Sequence, residues 1–161
     1  MKPMADPIVA LRGFQNAINS GATPDPYDLE DNYIALYDEF PDGRKRYSYV
    51  KIVGQEVQAL SIFGLEDPIK NIVCYNVGYA VCELHRKRGL AVEVVSKGLE
   101  KLTRELRSTN LEKFYLEAIV EVTNIASINT ARKLFASPGR PMIDFYSKRP
   151  AVYFLKLINL Q

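Results

Sequence analysis

The sequence has few side chains that bind metals or form disulfides. Its 161 residues include one histidine, His85, and two cysteines, Cys74 and Cys82, so no zinc site of His and Cys ligands can form within this chain. If both cysteines lie on one extended strand, their separation is about 26 Å, which is beyond disulfide reach. We therefore expect reduced thiols, no metal and a cytoplasmic location.

Long apolar runs are also missing. The first seven residues lack the continuous apolar stretch of a signal peptide, and no run elsewhere approaches the roughly 20 residues that span a bilayer. We expect neither secretion nor a membrane partner. Apolar residues make up 47% of the chain, which is enough for a core of its own. With no internal repeat and no obvious boundary, the sequence predicts a single domain over residues 1–161.

Charge is unevenly divided along the chain. The formal net charge is only +2, but residues 1–85 carry 7 basic and 12 acidic side chains, whereas residues 86–161 carry 14 and 7. The acidic residues cluster between positions 25 and 42, where they could attract a cationic partner, and the second half could hold an anion. An unevenly charged solvated surface is the alternative.

Periodicity predicts an α/β domain with a mixed, mostly antiparallel sheet flanked by helices. Asp6 and Pro7 mark the start of an opening helix, as an N-cap followed by proline. In order, we expect a helix from Asp6 to Gly21, a loop or short turn over 23–31, strands over 33–40, 47–53, 57–63 and 72–82, a helix over 89–106, a strand over 114–120, a helix over 124–135 and a strand over 151–158.

The stretch 77–91 carries the most chemical information. A strand runs into a short basic loop, and the loop leads directly into the most strongly periodic helix. Helix N-termini expose unpaired N–H groups and a partial positive charge. A loop that also contains Arg86, Lys87 and Arg88 is therefore suited to a pyrophosphate. Gly89 would let the backbone approach phosphate closely, and Ala91 keeps the first helical turn small.

This arrangement resembles the GNAT superfamily of N-acetyltransferases. Their acyl-CoA signature, Arg/Gln-x-x-Gly-x-Gly/Ala between a strand and a helix, is matched by Arg86, Gly89 and Ala91. Residues 124–127, Asn-Ile-Ala-Ser, are similar to the Asn-x-x-Ser that opens the following helix in many members. The resemblance covers residues 70–158. It implies a GNAT-like fold with acetyl-CoA as the acyl donor.

The resemblance also implies roles for the matched positions. The backbone of Val81 and Cys82 would pair with the pantetheine arm as an added strand does. Asn124 would hydrogen-bond near the pantetheine, and Ser127 would lie close to the thiol. Taken alone, Asn124 is an equally good N-cap and Ser127 the third residue of the helix. The pyrophosphate would be held by Arg86, Lys87, Arg88, Gly89, Leu90 and Ala91.

Catalytic residues are harder to assign. Many members carry a tyrosine on the helix after Asn124 that protonates the leaving thiolate, and this chain has none there. Tyr146, in the following loop, is the candidate acid, with a packed tyrosine as the alternative. Glu117, inside an apolar strand, is the candidate general base, because partial burial makes a carboxylate a better proton acceptor. The alternative is that Glu117 simply faces solvent on a half-exposed strand.

Three functions are consistent with these features. The first is transfer of an acetyl group from acetyl-CoA to a primary amine, in a cationic small molecule or a protein, by direct attack in a ternary complex; Cys82 is not expected to act as a nucleophile. The second is a non-catalytic GNAT-fold module that binds CoA or regulates. A nucleic-acid module ranks last, since net +2 is far from strongly basic. Within the enzyme reading, transfer to an aminoacyl-tRNA stays an open possibility.

The apolar final strand could pair with its counterpart across a homodimer.

Overall fold

The protein, described by a computed structural model over residues 6–22 and 30–161, is an α/β domain with one mixed sheet between helices. The predicted fold class is confirmed. Most of the predicted loop over 23–31 lies outside the described residues. In chain order the elements are α1 (Pro7–Asn19), β1 (Tyr33–Glu39), β2 (Lys45–Val53), β3 (Glu56–Ile69), β4 (Ile72–Val81), a 3-10 turn (Glu83–His85), α2 (Leu90–Leu106), β5 (Lys113–Glu121), α3 (Ile125–Phe135), β6 (Arg140–Ile143) and β7 (Pro150–Asn159).

The seven strands form a sheet in the order β1-β2-β3-β4-β5-β7-β6. Strands β4 and β5 run parallel, whereas the other neighbouring strands pair antiparallel. The β4–β5 pairing extends only from Cys74–Tyr115 to Asn76–Glu117. Beyond that point β4 continues to Val81 and β5 to Glu121 without pairing to each other. The two strands therefore diverge and leave an opening in the sheet, which we call the β4–β5 gap.

Helices cover the two faces of the sheet differently. Helices α2 and α3 pack on one face, which we call the helical face, and α1 packs on the other face against β3 and β4. Each face has its own apolar core. On β5, Phe114, Leu116, Ala118 and Val120 are buried toward the helical face. Because side chains alternate along a strand, Glu117 points to the opposite face.

The local signals in the sequence account for most of these elements. Asp6 caps α1 by accepting a hydrogen bond from the N–H of Ile8, and Pro7 opens the helix. Gly54, at a φ of 63°, forms the tight hairpin between β2 and β3. Strand β6 was not predicted, because its four residues include a proline and its extended form depends on pairing with β7.

The final strand lies inside the sheet. Strand β7 pairs with β5 along residues 151–159 and with β6 only along residues 150–153. Within residues 6–22 and 30–161, strand residues 154–159 therefore pair on one side only. Pairing of that half-edge with a second copy stays a prediction.

Close packing of α2 on the sheet depends on Gly98. A Cβ atom at Gly98 would lie 2.6 Å from Ser61 Oγ and 2.8 Å from Phe63 Cε2. Ser61 Oγ is buried and donates a hydrogen bond to the Val94 carbonyl. Even one methyl group would therefore force the helix and β3 apart.

We expect Gly98→Ala to lower the free energy of unfolding by about 1–3 kcal/mol, since overpacking outweighs the gain in helix propensity. Gly13→Ala is the matched control, because a Cβ there meets nothing within 4 Å and alanine should stabilise α1 by about 0.5–1 kcal/mol. Urea unfolding of both variants measures the difference. Stabilisation by both substitutions would contradict the close packing of α2.

Candidate active site

Backbone groups of β4 line one side of the β4–β5 gap. The N–H of Cys82 donates to the Gln58 carbonyl at 2.8 Å. Because the direction of backbone hydrogen bonds alternates along an antiparallel pair, the N–H and C=O groups of Val77, Tyr79 and Val81 point away from β3 and into the gap. On the side that faces β5, residues 77–81 of β4 are unpaired over about 17 Å. This stretch can bond an extended chain that lies between the strands.

Cys82 does not share this orientation. Its N–H is bonded to Gln58, and its carbonyl accepts the N–H of His85 at 2.9 Å. The expected pairing of the Cys82 backbone with a pantetheine arm therefore does not fit the structure, whereas the orientation of Val81 does fit that role. The reason is the register of β4 on β3, which the sequence does not reveal.

A basic loop follows β4 and ends at the start of α2. Two of its residues, Lys87 and Gly89, have left-handed backbone conformations, with φ of 64° and 74°. Gly89 is the N-cap of α2, and no side chain in the described part of the chain caps the first turn. The free N–H groups of that turn thus lie beside the exposed side chains of Arg86, Lys87 and Arg88. Such a site favours an anion.

His85 holds this loop in place. Its Nε2 lies 2.5 Å from Glu56 Oε1 on β3, and its Nδ1 lies 3.1 Å from Arg88 Nη1. Since Arg88 can only donate, Nδ1 is the acceptor and Nε2 carries the proton that bonds Glu56. The His85 side chain is 13% exposed. The sequence could not show that Glu56 lies opposite His85.

The mouth of the gap is also positively charged. Arg86 Nε lies 3.4 Å from the Val81 carbonyl, where β4 ends. The acidic residue of the first turn of α2, Glu93, is bonded to Lys51 at 2.8 Å and to the Tyr33 hydroxyl. The hydrogen bond from Lys51 has the largest effect in lowering the pKa of Glu93, and the hydrogen bond from Tyr33 lowers it further. Its charge is thus compensated on the β2 side of the helix.

The start of α3 lies on the other side of the gap. Asn124 Oδ1 accepts the N–H of Ser127 at 3.1 Å, so Asn124 serves as the N-cap. The Ser127 carbonyl accepts a hydrogen bond from the Tyr79 hydroxyl at 2.7 Å. Tyr79 therefore links β4 to α3 on the helical face. Ser127 is half-buried beside the gap, and the contacts of Asn124 and Ser127 with a ligand stay predictions.

Glu117 lies where β4 and β5 diverge. Its Oε1 accepts a hydrogen bond from Asn76 Nδ2 at 3.2 Å, and its Oε2 accepts one from the Tyr153 hydroxyl at 2.8 Å. The two donors stand on β4 and β7, the strands that flank β5. The carboxylate is partly buried, rather than solvent-facing, and is held at the inner end of the gap.

Two further acidic groups surround this carboxylate. Burial and the nearby Glu117 raise the pKa of the Cys74 thiol to about 12, so Cys74 is protonated and unreactive at neutral pH. Burial raises the pKa of Glu66 as well, although Arg44, 2.8 Å away, opposes that shift.

Tyr146 lies in the loop between β6 and β7. It packs edge-to-face on Phe145, with ring centroids 5.3 Å apart, and is half-buried. Burial and the charge of Glu66 raise its pKa. Ser127, bonded to Tyr79, lies on the helical face. The role of Tyr146 as the acid stays a prediction.

Sequence reasoning missed three residues of this region: Asn76, Tyr79 and Tyr153. Only Asn76 had a signal, since it is the one amide in the apolar run 72–82. Tyr79 and Tyr153 are ordinary strand residues in the sequence. Their partners, the Ser127 carbonyl and Glu117, become neighbours only through the order of the strands.

Comparisons with known proteins identify the fold. No protein-family model matches the sequence, and no curated protein matches it either. Among solved structures, RimL, a ribosomal L7/L12 alpha-N-protein acetyltransferase, is similar to this chain. Its complex with CoA has a TM-score of 0.50 and 16% identity, and the match covers 72% of this chain and 64% of that chain. Its apo form has a TM-score of 0.52 and 18% identity, with 70% of this chain and 61% of that chain covered. The NatC complex bound to Gag peptide and CoA is similar too (TM-score 0.50, 21% identity, 71% of this chain and 71% of that chain).

The chain therefore has the fold of the GNAT superfamily of acetyltransferases. It spans less than two thirds of the RimL chains that it matches. None of the helices in the described residues is long and apolar enough to cross a membrane.

Proposed function

We propose that this chain is an N-acetyltransferase that moves the acetyl group of acetyl-CoA to a primary amine. The observation that carries the proposal is the β4–β5 gap, whose free backbone groups lead from the basic loop at α2 to the Glu117 carboxylate. One elongated ligand can then place its phosphates at the basic loop and its thioester beside Glu117. A free anion site alone would not require such a gap.

Acetyl-CoA would bind with its pyrophosphate at residues 86–91. Arg86, Lys87 and Arg88 supply charge, and the backbone of Gly89, Leu90 and Ala91 supplies N–H donors. The pantetheine arm would pair with the backbone of Tyr79 and Val81 as an added strand. Asn124 and Ser127 would flank it from the α3 side.

Chemistry would take place at the inner end of the gap. The amine nitrogen attacks the thioester carbonyl carbon, and the carbonyl π pair moves to oxygen, where an N–H of β4 facing the gap stabilises the charge. Glu117 accepts a proton from the nitrogen, whose N–H electron pair stays on nitrogen. The oxyanion pair then re-forms the C=O bond as the C–S bond breaks with its pair on sulfur, and the thiolate takes a proton from Tyr146 or from water. The products are an amide and CoA thiol.

The acceptor class follows from charge and from the similar structures. The Glu117 carboxylate at the inner end of the gap has no cationic side chain bonded to it among the described residues, and it favours a cationic amine. RimL is described as acting on a protein α-amine, and NatC is described with a bound peptide. We therefore include protein amines as well as small cationic amines. A CoA-binding module without turnover is the alternative, because no tyrosine stands on α3.

Thioester consumption tests the proposal. The purified chain is incubated with acetyl-CoA and, separately, with cadaverine or with a peptide that has a free α-amino group, and thiol release is recorded. We expect amine-dependent release that is absent without protein. In parallel, acetyl-CoA at about 100 times its dissociation constant should stabilise the fold by about 2.7 kcal/mol, which raises the unfolding midpoint by roughly 5–10 °C. Stabilisation without release with either amine would favour the binding module.

A further inference from the structure

One polar atom near Glu117 has no hydrogen-bond partner among the residues that the structure describes. Asn76 is 4% exposed, and its Oδ1 is buried without a hydrogen bond to any described residue. Its Nδ2 donates to Glu117 Oε1. The reverse amide orientation would bring two oxygen acceptors together, so the contact with Glu117 fixes the direction of the amide. A buried acceptor that stays unpaired is unfavourable, and it needs an explanation.

The position of Asn76 suggests that the missing donor belongs to a substrate. Asn76 and Glu117 are directly paired residues, and theirs is the last pair before the strands diverge. Nδ2 and Oδ1 belong to one planar group. Because Nδ2 contacts Glu117 Oε1, the Asn76 oxygen lies close to the same carboxylate, and a nitrogen bonded to Oε1 on its Asn76 side would be within reach of both oxygens.

We infer that Asn76 selects primary amines as acceptors, an inference that depends on the proposed acetyl transfer. A primary amine that attacks a thioester has two N–H bonds. One proton passes to Glu117, and the other N–H stays in the product amide. Asn76 Oδ1 accepts the N–H that stays. A secondary amine has a single N–H, which Glu117 must take, so it leaves the Asn76 oxygen unpaired.

This role differs from that of Tyr153. Both side chains donate to Glu117, and both help to hold it in place. Tyr153 contacts Oε2 from β7, whereas Asn76 contacts Oε1 from β4, so the Tyr153 hydroxyl is not the group beside the Asn76 oxygen. Loss of the Tyr153 hydroxyl should therefore slow acetyl transfer to all acceptors equally. Loss of the Asn76 amide should slow transfer to primary amines more than transfer to secondary amines.

Paired acceptors test the inference. The probes are cadaverine with its N,N′-dimethyl derivative, and one peptide with a free α-amino group beside its N-methyl counterpart. For each pair, the ratio of kcat/KM is measured in the wild-type chain, Asn76→Leu, Asn76→Asp and Tyr153→Phe. Acetyl-CoA affinity and the unfolding midpoint are recorded for every variant, so that loss of folding is recognised.

We expect the wild-type chain to prefer the primary amine of each pair by about 10- to 100-fold or more. Asn76→Leu, which has the shape of asparagine without its polar atoms, should reduce that preference to within about threefold, mainly through the primary amine. Asn76→Asp retains an oxygen acceptor and should keep the preference at a lower rate. Tyr153→Phe should lower both rates and leave the ratio unchanged.

The two proposals fail in different ways. If the wild-type chain acetylates these amines but Asn76→Leu keeps the full preference, the role of Asn76 is wrong and the acetyltransferase proposal stands. If the wild-type chain binds acetyl-CoA and releases no thiol with any of the four amines, the proposed function is wrong and this inference falls with it. Equal loss of preference in Tyr153→Phe would also overturn it.

Discussion

Replacing Gly89 by glutamate is expected to weaken acetyl-CoA binding by at least about 100-fold. Gly89 is the N-cap of α2, with a φ of 74°, a conformation that costs an ordinary L-residue roughly 1–2 kcal/mol. Glutamate would also place a negative charge where the pyrophosphate is proposed to bond the first-turn N–H groups. Repulsion and a shifted backbone act in the same direction, and calorimetric titration with acetyl-CoA measures the result.

Two properties of this position separate binding from folding. A Cβ at Gly89 meets nothing within 4 Å, so the substitution creates no steric clash in the apo chain. Gly89→Asn is the matched control, because asparagine tolerates the left-handed region and carries no charge. We expect it to retain affinity within about threefold to tenfold. Unchanged affinity of Gly89→Glu would show that the loop at α2 does not hold the phosphates.

Glu117→Gln is expected to lower kcat by about 100- to 1,000-fold, the usual contribution of a general base. Acetyl-CoA affinity should not change, since Glu117 is placed beyond the thioester end of the gap. Glutamine keeps the size of the side chain, and Asn76 can turn its amide to match the new donor. Steady-state kinetics at saturating acetyl-CoA measure the effect.

The proposed role of Glu117 as base has a pH signature. Hydroxide can accept the proton that the attacking nitrogen loses, so the deficit of Glu117→Gln should shrink as pH rises. A weakly basic acceptor should also show a smaller deficit, because its nitrogen becomes a stronger acid after attack and loses the proton to water more readily. A constant deficit at all pH values would point to a packing effect on the site, and unaltered kcat would remove Glu117 from the mechanism.

The helices and most strands could be predicted because their signals are local. The Asp6-Pro7 start of α1, the hairpin glycine at Gly54 and the periodic stripe of α2 are each contained in a short stretch of sequence. The loop between β4 and α2 was predicted for the same reason: its charge, its glycine and the helix after it are contiguous. Strand β6 has no such pattern and depends on β7 for its partner.

The contacts of the candidate site could not be predicted because they depend on strand order. The β4–β5 gap exists only because a parallel pair stops at Asn76 and Glu117. The bond from Tyr153 to Glu117 requires β7 to lie beside β5, and that from His85 to Glu56 requires the loop to fold back on β3. The misplaced role of Cys82 has the same origin, since one residue of register decides which backbone groups face the gap.

Hydrogen exchange at single amides of β4 tests the central claim, that acetyl-CoA lies in the β4–β5 gap. In the apo chain the N–H groups of Tyr79 and Val81 face the gap, whereas those of Ala80 and Cys82 face β3. We predict that saturating acetyl-CoA slows exchange at Tyr79 and Val81 by about tenfold or more and leaves Ala80 and Cys82 unchanged. Binding without added protection at Tyr79 and Val81 would contradict the account.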